Sequence, residues 1–326
     1  MVNFRYHIIS VVAVFLALGV GVVMGSAVID RAVVGTLREQ QAAIDRRIDE
    51  VLQEKGELEA LLAEQQQVSE QLADEGSQRL LSGQLSGVPV VVVAVKDVDS
   101  TALDDVVQGL RTADADYEGT VQLTERLALT TEEQRRDLAR ALGAPEERAV
   151  SELRALAVDH LTSTLVPAAG AEEDSSPATG EVLAELRAAG FVDYEAPEGR
   201  PGGISELVMA GATVVLVSDA GAALSYEEWI RPLVEALTAD RDRDGRPDVA
   251  LLAVEALGTE EVAESEAEFT QALRADDTLS ARLSTVNNVD RFAGRLAAVL
   301  AIQDLADGRV GHYGRGAQRL IPAPSR

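Results

Sequence analysis

Residues 88–95 read VPVVVVAV, and the reading of this run decides the fold. Every position but Pro89 is aliphatic, and valine, branched at Cβ, favours extended backbone. The run is too short for a buried helix and does not alternate polar with apolar, so it reads as a strand covered on both faces. Two more runs share this character, ATVVLV at 212–217 and VALLAV at 249–254. Amphipathic helical patterns at 102–112, 131–142, 150–162, 181–189, 226–238 and 290–306 lie between and after them. Strands alternating with helices predict an α/β domain with a mostly parallel sheet over residues 86–326. Two polar loops interrupt it, AAGAEEDSSPATG at 168–180 and APEGRPGG at 196–203.

Upstream, SGQLSGVP (82–89) breaks a long helical region. Positions 37, 41, 44, 48, 51, 55, 58, 62, 65, 69 and 72 follow an alternating four-three spacing. Leu37, Ile44, Ile48, Val51, Leu58, Leu62 and Leu72 are aliphatic there, whereas Gln41, Lys55, Gln65 and Ser69 are polar interruptions that set register. The remaining residues are Glu, Gln, Arg and Ala, good helix formers. Residues 31–82 therefore predict a coiled-coil stalk, about 75–80 Å long at about 1.5 Å per residue.

Before the stalk, a short segment (1–7) leads into IISVVAVFLALGVGVVMGSAVI at 8–29, which carries no charge. At about 1.5 Å per residue it spans about 33 Å, enough to cross a bilayer core. A cleaved signal would have a shorter apolar core behind a basic segment, and only Arg5 precedes this one. The reading is a permanent signal anchor. Gly21 and Gly25 stand four apart and permit two such helices to approach closely. Anchor and seam together predict a parallel homodimer, with the two strands leaving the same membrane. Charge leaves orientation open: Arg5 precedes the span, and Arg31, Arg38, Arg46 and Arg47 follow it.

The chain has 326 residues, 29 basic and 55 acidic, for a net charge of −26. Such a chain repels nucleic acid, and no basic face offsets the repulsion. There is no cysteine, so disulfides and thiolate chemistry are excluded. The strand ends carry neither a dinucleotide fingerprint nor a phosphate-binding loop, since the first strand runs into KDVDSTAL and the second into SDAGAAL. Ser218 and Asp219 occupy a strand end where a catalytic group can sit, but the combination of hydroxyl and acid reads as a helix cap. His160 lacks a partner that the sequence can place near it. No nucleophile–base pair is assigned, and no enzyme is expected.

Asp240, Asp242, Asp244 and Asp248 alternate around Gly245 as in the first part of an EF-hand loop, a pattern suited to Ca²⁺. The twelfth position is Leu251 rather than a bidentate glutamate, and interleaved arginines also fit a salt-bridged turn. The tail at 309–326, RVGHYGRGAQRLIPAPSR, has four arginines and no acid. Either it lies across the acidic domain as an edge segment or it docks an acidic partner or anionic surface.

The opening MVNFRYHIISVVAVFLALGVGVVMGS and the late NNVDRFAGRLAAVLAIQDLADGRVGHYG together resemble the actinobacterial copper transport protein B family, including its corynebacterial SteB-like envelope members. The resemblance implies a cell-envelope protein with its large domain outside the cytoplasm, and copper as cargo. The residues point elsewhere. Soft or imidazole ligands for copper are confined, beyond the anchor, to Met209, His160 and His312, and no two have ligand spacing. The expectation is a membrane-anchored envelope scaffold or regulator, needing no cofactor and meeting an envelope or cell-wall protein partner. Copper transport or efflux is the alternative that the resemblance implies.

Overall fold

The computed structural model describes residues 4–165, 177–199, 203–204, 211–219, 221–241, 246–256, 268–317 and 319–323. The chain divides into two compact units, Met1–Val68 and Ser69–Arg326. One helix, α1 (Phe4–Leu81), runs without interruption from the apolar segment to the predicted break. Helix is thus present throughout the predicted stalk, and Gly83, with φ of 76°, follows its last turn.

The second unit is built on a seven-stranded sheet. Its first half comprises β1 (Pro89–Val95), α2 (Ser100–Thr112), β2 (Asp116–Leu123), a 3₁₀ turn at Glu125–Ala128, α3 (Glu132–Ala141), α4 (Val150–Leu165), α5 (Pro177–Ala188) and β3 (Val192–Glu195). Its second half has β4 (Thr213–Val217), a π turn at Tyr226–Ile230 running into α6 (Arg231–Leu237), β5 (Leu251–Glu255), α7 (Glu268–Ala275) and α8 (Asp277–Ser280). It closes with β6 (Ser284–Asn287), α9 (Phe292–Ala306) and β7 (His312–Tyr313). The strand order is β3-β2-β1-β4-β5-β6-β7. All pairings are parallel except that of β2 with β3.

The valine run explains this arrangement. Along β1, Val91, Val93 and Val95 enter one core while Val90, Val92 and Ala94 enter the other. The first core is completed by Leu138 of α3, Leu153 and Leu161 of α4, Leu186 of α5 and Leu233 of α6. The second takes Val106 and Leu110 of α2, Ala301 and Ile302 of α9, and Leu81 at the end of α1. Five valines of β1 are at most 2% exposed. Each contributes up to about 1.5–3 kcal/mol of burial. Capping fixes where helices start. Thr131 and Gln134 form a reciprocal capping box on α3, and the Asp99 carboxylate accepts from the Thr101 amide at the head of α2.

The six expected helices and three expected strands are all present, with shifted boundaries. Four strands and the short helices α7 and α8 were not anticipated. The polar loop at 168–180 lies mostly outside the described residues, but α5 takes its last positions from Pro177. The basic tail is an edge segment, since His312 and Tyr313 pair with Thr285 and Val286 of β6.

Candidate functional site

Two regions carry the functional geometry, the helix α1 and the carboxyl ends of the parallel strands. Along α1, Tyr6–Gly25 is long and apolar enough to cross a membrane, with mean hydropathy 2.7 and no part of it buried. An added Cβ at Gly21 or Gly25 meets nothing within 4 Å, so neither glycine serves packing within the chain. Downstream, Ile44, Ile48, Val51, Leu58 and Leu62 are exposed, from 46% at Leu62 to 60% at Leu58. The side chain of Leu37 lies outside the described residues. Lys55 pairs with Glu59 one turn on.

In a doubly wound sheet, ligands bind beyond the strand ends where the order reverses. Here that point falls between β1 and β4, and the loops leaving the two strands are tied together there. The Asp219 carboxylate accepts from the Asp99 amide at 3.0 Å and from the Gly221 amide at 2.8 Å. The Ala223 amide donates to the Lys96 carbonyl at 2.9 Å. Asp97, between them, holds a left-handed φ of 67°. The expected helix cap at Ser218 and Asp219 is corrected: the next helical turn starts at Tyr226, and its cap is Ser225. Asp219 instead bridges two loops. Beside it opens a cleft of about 390 Å³, lined in part by Ser218, Asp219, Tyr226, Ile230 and Phe269.

Next to the cleft, β5 ends in Glu255, which is 2% exposed. Its carboxylate accepts from the Phe269 and Thr270 amides and from the Thr270 hydroxyl at 2.7 Å, capping α7. Burial pushes its pKa up, outweighing these three bonds, and Asp219 adds to the rise. Sequence reasoning passed over Glu255, although an acid closing an apolar strand was the available signal.

At the far edge, the tail is held by polar side chains buried in β6. Asn287 accepts from the Arg315 amide at 2.6 Å and donates to the Arg315 carbonyl at 2.8 Å. Gly314, at φ of 101°, passes so close that an added Cβ would lie 2.1 Å from the Asn287 oxygen. Thr285 bonds both Arg274 Nε and His312 Nδ1, and His312 Nε2 reaches the Ser280 carbonyl. With both ring nitrogens engaged, His312 is a structural group. Burial, reinforced by the Arg274 guanidinium, lowers its pKa. Within the same late motif, an added Cβ at Gly294 would lie 2.1 Å from the Asn288 carbonyl oxygen, and Arg295 binds Asp105 of α2 at 2.6 Å. The motif that carries the resemblance thus builds the β6–α9 junction and its edge strand.

The other candidate ligands are scattered. His160 is half-buried on α4, and Met209 lies outside the described residues. Asp242 and Asp244 of the calcium-type loop also fall outside them. Asp248 accepts from both the amide and the guanidinium of Arg241 at 3.0 Å. Among the described residues, no three His, Cys, Asp or Glu side chains are grouped to hold a metal.

Residues 1–322 match the family model described as copper transport outer membrane protein, MctB. This chain belongs to the MctB family. It is 29% identical over 333 residues to the copper transporter MctB of Mycobacterium tuberculosis and to that of Mycobacterium bovis, covering 97% of each chain. The copper transporter MctB of Mycobacterium leprae is similar at 29% over 334 residues. The family resemblance seen at the two ends therefore extends across the chain. The MctB family is named for transport rather than catalysis, in keeping with the expectation of no enzyme, and for an envelope location. Nothing in its name supports the expected role as an envelope scaffold.

Proposed function

We propose that this MctB-family protein acts in copper transport across the cell envelope as a membrane-anchored, self-associating subunit, with its large domain outside the cytoplasm. The observation that carries the reading is α1: a strongly apolar, exposed stretch at Tyr6–Gly25 continues as helix into an exposed aliphatic seam. Apolar side chains on all sides of a helix require lipid around them. A stripe repeating at four-three spacing requires a second helix, and a parallel coiled coil between two copies supplies it. Gly21 and Gly25 extend the same close approach into the bilayer. The copper assignment rests on the family. With His312 occupied by Thr285 and Ser280, the part played by the α/β domain is to meet other envelope components.

The test uses a strain deleted for the chain and complemented with the full-length protein, its Ile48→Lys/Leu58→Lys variant, or an empty vector. Wild type should restore cellular copper content and growth on copper, and should cross-link as a dimer. The seam variant should do neither. Unchanged copper content on deletion, accompanied by altered cell shape or division, would sink the transport reading in favour of an envelope scaffold.

A further inference from the structure

We infer that the cleft beyond β4 is a binding site for a small organic amine, a primary ammonium group carried on an apolar ring or chain. The cleft volume of about 390 Å³ falls in the ordinary range for small-molecule sites. It opens beyond the carboxyl ends of β4 and β5, on the side of the sheet where open α/β folds bind ligands. The lining divides into two ends of different chemistry.

At one end are Ile230, Phe269 and the half-buried ring of Tyr226, which offer an apolar wall. At the other are Ser218 and Asp219. Ser218 is 3% exposed and lines the cleft. Its hydroxyl can both donate and accept. Asp219 is fixed by the amides of Asp99 and Gly221, one to each oxygen. A carboxylate offers about four lone-pair sites, so acceptor capacity remains on a group that cannot swing away.

Charge selects the ligand class. Among the described residues that line the cleft there is no Lys, Arg or His, and Asp219 is the one charged group. Phosphates and carboxylates are therefore repelled, and an ammonium is attracted. The ammonium would donate to Asp219 and Ser218, leaving its apolar body against Phe269 and Tyr226. The π turn at Tyr226–Ile230 supplies two of the wall residues. Interruptions of this kind recur at functional sites.

The experiment uses the full chain in lipid nanodiscs. Trp229, the one tryptophan in the sequence, lies in that π turn and reports on it by fluorescence. Phenethylamine is titrated against phenylacetate, which has a similar body and the opposite charge. Phenethylamine should give a saturable change, and phenylacetate none. Asp219→Asn should raise the dissociation constant about tenfold, as expected for loss of a charge-assisted bond. Should that change disturb the loop, Ala272→Leu provides a second test, because half-exposed Ala272 of α7 lines the cleft outside the core. That variant should abolish the response while leaving the melting temperature unchanged. Absence of saturation, equal response to the two probes, or a response that survives both substitutions would each overturn the assignment. None of these readouts involves copper or self-association, so failure here leaves the proposed function standing.

Discussion

Two strongly apolar stretches have opposite fates in this molecule. Tyr6–Gly25 exposes every side chain, whereas Val90–Val95 exposes almost nothing. The difference lies in how each satisfies its backbone. A helix of 20 residues closes its own hydrogen bonds, so it can stand apart from protein and present apolar side chains all round to lipid. A strand cannot. β1 must borrow partners from β2 and β4, and helices must then cover both of its faces. Apolarity alone therefore does not say where a segment goes; length and hydrogen-bond closure decide.

The sharpest way to break the contrast is to place a charge in each stretch. Val92→Asp buries an unpaired carboxylate at several kcal/mol. That is comparable with the whole stability of a domain, about 5–15 kcal/mol. The α/β unit should fail to give a cooperative melt by circular dichroism. Leu16→Arg should instead leave the melting temperature of that unit unchanged. Its cost, about 2.5–3.5 kcal/mol, falls on insertion, and fractionation should find the protein released from membranes.

A smaller effect is expected where the sheet depends on polar rather than apolar burial. Asn287→Ala removes two bonds to the Arg315 backbone, at about 1–3 kcal/mol. The urea midpoint should fall, and residues beyond 311 should become sensitive to protease first. The smallest effect concerns His312. Its folded pKa is depressed, so the unfolded chain takes up a proton more readily than the folded one. The stability it contributes is present above the ordinary histidine value of about 6.5 and is lost as pH falls from there through the lower folded value. His312→Gln should flatten that part of the stability–pH curve, measured by urea titration between about pH 5 and pH 8.

The same contrast explains what was legible in the sequence. β1, β4 and β5 were found because most of their side chains enter apolar cores. β6, reading STVN, was not: three of its four residues are polar yet buried. Ser284, Thr285 and Asn287 are satisfied by Gly311, His312 and Arg315, about 27 residues further on. No local pattern records so distant a partner. β2 escaped notice for a related reason, since its DYEGTVQL mixes polar and apolar positions beside the short outer strand β3. At the cleft, the sequence picked out Ser218 and Asp219 by their place at a strand end but misread their task, because the Asp99 amide that Asp219 meets lies 120 residues earlier. Glu255, which sequence reasoning passed over, caps α7.

The strand order β3-β2-β1-β4-β5-β6-β7 has a consequence for how the chain takes shape as it is made. β1 is an interior strand and is synthesised first. β2 and then β3 extend the sheet on one side, after which β4 to β7 extend it on the other. Each new strand docks on an edge that already exists, and none has to insert between two earlier ones. A growing chain, made from its N-terminus onward, can thus build the sheet outward from that strand in the order of translation. The buried polar groups of β6 wait only for the segment that follows α9.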